Sequence, residues 1–264
     1  MEIQFQEVRK VYAGRTQSVV ALDGINSSVK EGEFVCLLGP SGCGKSTLLN
    51  MLAGFDKPTT GRVTLNGNPV KGPSLQRAMM FQEAALFPWL NARANVEFGL
   101  KSLGLPASER RERAEKYLEM VHLAGFADAQ PHELSGGMRQ RVALARALAV
   151  DPDVLLMDEP FAALDAQTRE LLGVELQNIW RETKKTILFV THNVQEAVTL
   201  ATRILVFTAR PGRIKVEFDL TDLEFPRSAT DAQVAARTSA VHDALHDEVI
   251  QVEREQLSGG SLAA

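Results

Sequence analysis

The sequence predicts an α/β fold: a core sheet alternating with helices, an antiparallel β subdomain beside it and a helical subdomain inserted into it. Three observations predict this. Apolar runs at 34–38, 154–157, 186–190 and 203–207 alternate with helix-period segments at 48–53, 166–181 and 194–200. Short strands separated by glycine turns occupy 3–11, 19–22 with 25–29, and 62–67, which reads as an antiparallel flap. From Asn91 to Val150 the pattern turns helical, through Val96, Phe98, Leu100 and Leu103, then 109–121 and 138–149. The catalytic core is therefore expected to be discontinuous, with 1–87 and 151–219 forming the core and its flap, 88–150 the helical lobe and 220–264 a tail. In the tail, a loop with Pro226 precedes a helix whose Val234, Val241, Leu245, Val249 and Val252 share one face, and 258–264 reads as a flexible end.

Bulk properties exclude several classes. A formal net charge of −4 without long basic runs offers no footprint for nucleic acid as a main partner. The two cysteines, Cys36 in a core strand and Cys43 in a glycine-rich loop, make no disulfide framework and imply a reducing compartment. Cys43 is expected within reach of thiol reagents. The segment 1–7 is acidic and alternating, unlike a signal segment, and no run of about 18 apolar residues occurs. A cytoplasmic chain is expected, whose membrane role would come through a partner.

Gly39-Pro40-Ser41-Gly42-Cys43-Gly44-Lys45-Ser46-Thr47 fits the pattern G-x-x-x-x-G-K-[ST] and lies between an apolar strand and a helix. Glycines let the backbone turn tightly, so amide N–H groups and the helix N-terminus face a phosphate. Lys45 would neutralise β- and γ-phosphates and Ser46 would ligate magnesium. The run at 154–157 ends in Asp158 and Glu159, which suits a buried parallel strand delivering carboxylates at its end: Asp158 towards the Mg²⁺ shell, Glu159 towards the attacking water.

Leu134-Ser135-Gly136-Gly137-Met138-Arg139-Gln140-Arg141 opens a helix with a serine and two glycines, a second anion-binding helix terminus. Two such termini are complementary if two copies meet head to tail. In motif order, residues 1–219 resemble the ATP-binding-cassette family, whose signature segment this is. The resemblance implies a P-loop (RecA-like) ATPase core and places further residues. Tyr12 matches the aromatic that stacks on adenine. Gln82 matches the loop glutamine that senses Mg²⁺ and water and links the core to the helical lobe. Asp165, in Ala163-Leu164-Asp165, matches the loop that crosses the dimer interface and is also a plausible N-cap. His192 matches the histidine that contacts the γ-phosphate and steadies the catalytic glutamate; Asn193 departs from the aspartate that commonly follows it. The implied cofactors are ATP and Mg²⁺, bound at a homodimer interface with Ser135, Gly136 and Gly137 contributed across it.

Within the family, 81–90 with Asn95 and Val96 resembles bacterial nitrate, sulfonate and taurine importer ATPases. In these, this stretch receives a helix of the membrane subunit, with Phe87 and Trp89 as aromatic anchors. The implied partners are separate transmembrane permease subunits, docked on Gln82 to Leu90, and a periplasmic solute-binding protein. The implied location is peripheral, on the inner face of the bacterial plasma membrane. The alternative is a soluble ATPase of the superfamily acting on DNA or ribosomes, disfavoured by one compact cassette without sustained heptads. A GTPase lacks its Asn-Lys-x-Asp segment. His242 and His246 share a helix face at metal-pair spacing, but with no third ligand nearby a solvated face is the better reading.

Overall fold

A computed structural model describes residues 1–14 and 18–259, with the backbone alone for 252, 253 and 255–259; the expected packing of Val252 and the end 260–264 lie outside what is described. The chain divides into two units, 1–73 with 188–264, and 74–187.

The first unit begins with β1 (Glu2–Tyr12), β2 (Val19–Lys30), β3 (Phe34–Leu38), α1 (Lys45–Ala53), β4 (Thr60–Leu65) and β5 (Asn68–Pro69). An antiparallel sheet is built in the order β2-β1-β4-β5. Along β1, Ile3 and Phe5 are buried at period two, but the next buried residue is Val8. The pairing explains this: the β1–β2 register shifts between Phe5 and Val8, and Glu7 there takes φ 48°. Such a bulge returns the following apolar side chain to the buried face. All five residues of β3 are buried, as expected of a strand covered on both faces.

The second unit holds β6 (Arg77–Met80), α2 (Ala92–Lys101), α3 (Ala107–Met120), α4 (Gly136–Ala149), β7 (Val154–Asp158), α5 (Ala166–Thr183) and the start of β8 (Thr186–Thr191). The helical lobe closes over Ala92, Val96, Leu100, Ala114, Leu118, Val142 and Ala145, all buried. The strand β6 has no counterpart in the sequence reading, because four residues opening on an arginine show no alternation. It forms because β7 offers a parallel partner, with Arg77 opposite Val154 and Met80 opposite Met157.

The chain returns to the first unit through the rest of β8, α6 (Val194–Leu200), β9 (Arg203–Phe207), β10 (Ile214–Asp219) and α7 (Ala232–Gly259). Its second sheet runs β10-β9-β3-β8, with β3 parallel to β9 and β10 antiparallel to it. The edge strand β10 is also absent from the sequence reading, although Ile214, Val216 and Phe218 alternate with Lys215, Glu217 and Asp219 in the period-two pattern of a half-exposed strand. On α7, Val234, Val241 and Leu245 face inward as the periodicity predicts, but Val249 is 38% exposed and Glu248 takes the next buried position. The buried Arg227 donates to the carbonyls of Val198 (2.9 Å), Ala201 (2.6 Å), Leu220 (2.5 Å) and Leu223 (3.0 Å). Burial lowers its pKa to about 10, which leaves it charged at neutral pH.

Candidate nucleotide site

In the first unit, β3 delivers Gly39 to Thr47 directly into α1, whose N-cap is Gly44. Gly42 and Gly44 take φ of 77° and 102°, the left-handed region that a side chain disfavours. Lys45 is 4% exposed, and its Nζ donates to the carbonyls of Gly39 (2.8 Å) and Pro40 (2.8 Å), so the ammonium sits inside the loop. Glycine backbone, a helix N-terminus and an enclosed cation together fit a polyphosphate. Ser46 is exposed at the start of α1 and Thr47 follows it. Cys43 is 1% exposed, beside Lys45 Nζ at 3.6 Å, and burial raises its thiol pKa. The expected reach of thiol reagents is thereby corrected. Since the thiolate is the reactive form, native Cys43 is expected to react with a disulfide reagent at pH 8 at least about tenfold more slowly than in the denatured chain, and faster as pH rises towards the raised pKa; equal rates would refute the burial.

Tyr12 ends β1 with an exposed ring whose hydroxyl donates to Asp56 Oδ2 at 2.8 Å, while Lys10 Nζ lies 4.8 Å from the ring centroid. Burial is the largest influence raising the phenol pKa; a hydrogen bond with Thr47 opposes it and one with Asp56 adds to it. The ring is thus held near the phosphate loop with a face available for stacking. His192 is exposed just past β8, the neighbour of β3 in the sheet order. Asn193, the departure from the aspartate pattern, caps α6: its Oδ1 accepts from Glu196 N at 3.1 Å, and its own N–H donates to Thr191 Oγ1 at 3.0 Å. An amide oxygen serves an N-cap as well as a carboxylate does.

In the second unit, the parallel register of β6 and β7 ends with Met80 opposite Met157, so the segment holding Gln82 and the pair Asp158 and Glu159 leave the sheet at the same edge. Glu159 has φ 45°, a left-handed conformation costing a non-glycine residue about 1–2 kcal/mol, strain of the kind that collects at active sites. Ser135 caps α4, its Oγ accepting from Met138 N at 3.2 Å; Gly136 and Gly137 form the first turn. Asp165 caps α5, with Oδ1 accepting from Thr168 N at 2.9 Å and Oδ2 from Thr168 Oγ1 at 2.7 Å. The backbone bond to Thr168 is the main cause lowering its carboxyl pKa.

Sequence reasoning missed the residues that hold this loop in shape. Gln140 Nε2 donates to the Gln82 carbonyl at 2.7 Å. Arg146 donates to the carbonyls of Ala85 (2.8 Å) and Ala84 (2.9 Å) and lies 5.8 Å from the Phe87 ring centroid. Asn95, fully buried, accepts from Phe87 N at 2.8 Å and donates to the carbonyls of Phe87, Leu90 and Asn91. Phe87 packs on Phe98 with ring centroids 4.3 Å apart, whereas Trp89 is 71% exposed. The helix opened by Ser135 therefore grips 82–85 by the backbone, and α2 holds 87–91 through Asn95. Gln140 and Arg146 lie six residues apart on α4, which gives no same-face spacing, and both look like ordinary helix polar residues. His242 and His246 are exposed on α7, with ring centroids 6.2 Å apart.

A family model described as ABC transporter matches residues 22–162. The nitrate import ATP-binding protein NrtD of Synechocystis sp. is 49% identical over 233 residues, covering 87% of this chain and 88% of that one. The taurine import ATP-binding protein TauB of Burkholderia pseudomallei is 53% identical over 215 residues, covering 81% and 83%. Among solved structures, the dimeric post-hydrolysis state of the ATP-binding cassette MJ0796 bound to ADP and Pi superposes with TM-score 0.73 at 36% identity, covering 83% of this chain and 98% of that one.

Proposed function

This chain belongs to the ABC transporter family as an ATP-hydrolysing subunit, and on that premise we propose that two copies bind two ATP between them and drive import of a small anion through separate membrane subunits. The observation that carries the reading is that one chain presents two helices with phosphate-suited N-termini, α1 behind Gly44 and α4 behind Ser135. In each site Lys45, Ser46, Thr47, Gln82, Asp158, Glu159 and His192 of one copy would meet Ser135, Gly136 and Gly137 of the other, with Tyr12 against the adenine and Asp165 at the dimer seam. A ligand shared this way favours the closed dimer by its differential affinity. Glu159 positions or deprotonates a water for in-line attack on the γ-phosphorus, and the bond to the bridging oxygen breaks with its electrons leaving on ADP. Lys45 and the Ser135 terminus offset the charge of the transferring phosphoryl. Ser46, Gln82 and Asp158 are hard oxygen donors of the kind magnesium takes, and the ion, when bound, would neutralise charge on the β- and γ-phosphates.

We keep the division read from the sequence as part of this proposal, with 88–150 carrying the signature and 1–87 and 151–219 the hydrolytic groups. Among the described residues no helix is long and apolar enough to cross a membrane. Contact with permease subunits is assigned to Gln82 to Leu90, where Trp89 is exposed and Phe87 anchors the loop. That location would make the chain peripheral on the inner face of a bacterial plasma membrane, working with a periplasmic binding protein. The import names of relatives near half identity support transport over action on DNA or ribosomes.

Mixing tests the composite site. Ser135→Arg and Lys45→Ala homodimers should each be inactive, because every site carries one defect. A mixed dimer collects both defects in one site and leaves the other whole, so mixing should restore ATP hydrolysis. No restoration beyond either variant alone would place each site within a single copy. The transport reading is tested by reconstituting the chain with its membrane subunits and binding protein and asking whether nitrate, taurine or an alkanesulfonate stimulates hydrolysis.

A further inference from the structure

We propose that the loop joining β9 to β10, residues 208–213, is a positioning brace for the phosphate loop, set by Arg210 and tied to the C-terminal helix through Glu248, an inference that rests on reading 39–47 as the ATP phosphate cradle. Arg210 donates from Nε (3.1 Å) and Nη2 (3.0 Å) to the carbonyl oxygen of Gly42. Two residues on, Gly212 approaches so closely that a Cβ there would sit 2.0 Å from the Cys43 carbonyl oxygen, which leaves no room for a side chain. One loop thus covers the carbonyls of two successive phosphate-loop residues. In a trans peptide the C=O and N–H of one unit point to opposite sides. With the Gly42 and Cys43 carbonyls turned to the brace, the N–H groups of Cys43 and Gly44 are turned away from it. These amides are of the kind that receives phosphate in such loops.

The brace is itself anchored. Gly212 N–H donates to Ala21 O at 3.0 Å, and Gly212 O accepts from Asp23 N at 3.0 Å. Thr208 N donates to Arg213 O at 2.9 Å, and Arg213 pairs with Asp23. At its other end, Ala209 N–H donates to Glu248 Oε2 at 2.7 Å, while Glu248 Oε1 pairs with Lys215 Nζ on β10 at 2.9 Å. A carboxylate in a buried helix position is costly unless it is paired. Both of these partners belong to the brace or to the strand it opens. The contacts Glu248, Ala209, Arg210 and Gly42 therefore form one polar path from α7 to the phosphate loop. The tail, on this account, sets the amide geometry that ATP meets.

The test uses the full chain, titrated with a fluorescent ATP analogue and assayed for phosphate release. Arg210→Met is expected to raise the Kd and KM for ATP about fivefold, the scale of one exposed charge-assisted hydrogen bond, with kcat within about twofold. Arg210→Lys, which keeps the charge and a donor, should recover part of the loss. Glu248→Ala should shift KM the same way, and the double variant should be little worse than Arg210→Met, because groups on one path are not additive. A merely structural role would lower the melting temperature and leave KM alone. A change below twofold in Kd and KM for Arg210→Met overturns the proposal. If that variant does not fold, Arg210→Gln and Glu248→Ala carry the same readout, and unchanged KM in both overturns it equally. Lys45→Ala in the same titration separates the two levels: if it too binds normally, the phosphate-cradle reading has failed; if it alone is impaired, only the brace has.

Discussion

Glu159→Gln is expected to lower ATP turnover by at least about a hundredfold, the scale seen when one group aimed at a transition state is removed, while ATP binding stays intact. The substitution is nearly isosteric, so the strained φ of 45° at this position is kept and the side chain still reaches the same place. What is lost is the carboxylate that, in the proposed mechanism, orients a water and accepts its proton. Because binding persists without hydrolysis, the closed dimer should accumulate with ATP, visible as a doubled mass in size-exclusion chromatography with light scattering. Hydrolysis within about threefold of wild type would remove Glu159 from the chemistry, and the parallel edge of β6 and β7 would need another general base.

Lys45→Ala is expected to weaken ATP binding itself, by about thirtyfold or more, since truncating one partner of an enclosed charge pair costs at least about 2 kcal/mol. The ammonium is almost wholly buried and lies 2.8 Å from the carbonyls of both Gly39 and Pro40. Its removal therefore takes away a phosphate partner and an internal tie of the loop. A melting curve without nucleotide isolates the second effect, and titration with a fluorescent ATP analogue reads the first. Unchanged affinity in a variant that still melts cooperatively would contradict the assignment of 39–47.

The legible parts of this protein share one property, that their signal is local. The strand-loop-helix context of 34–53, the caps at Ser135 and Asp165, and the inward stripe of Val234, Val241 and Leu245 all came from neighbours within about two helical turns. Each involves backbone groups that the same stretch of chain must satisfy. The strand β6 lacked such a signal: four residues opening on Arg77 become a strand only because β7 presents an edge to them. The strand β10 carried one, the alternation of Ile214, Val216 and Phe218 with Lys215, Glu217 and Asp219, and the sequence reading passed over it.

The sequence by itself determined where the glycine-rich loop, the carboxylates at the end of β7 and the starts of α1 and α4 lie, and from these come the proposed phosphate and proton roles, because such signals depend on residue type and on spacing along the chain. Only the tertiary structure decided how they are held. It paired β6 with β7 so that the segment of Gln82 and the pair Asp158 and Glu159 leave the sheet at one edge, closed Gln140 and Arg146 on the carbonyls of 82–85, buried Cys43, and laid Arg210 on Gly42 across 168 residues. For Gln140, Arg146 and Arg210 the physical reason is that these are side-chain contacts to backbone carbonyls, while strand register and burial likewise depend on partners distant in the chain. Every residue owns a carbonyl, so nothing in its identity marks which one a distant arginine or glutamine will find.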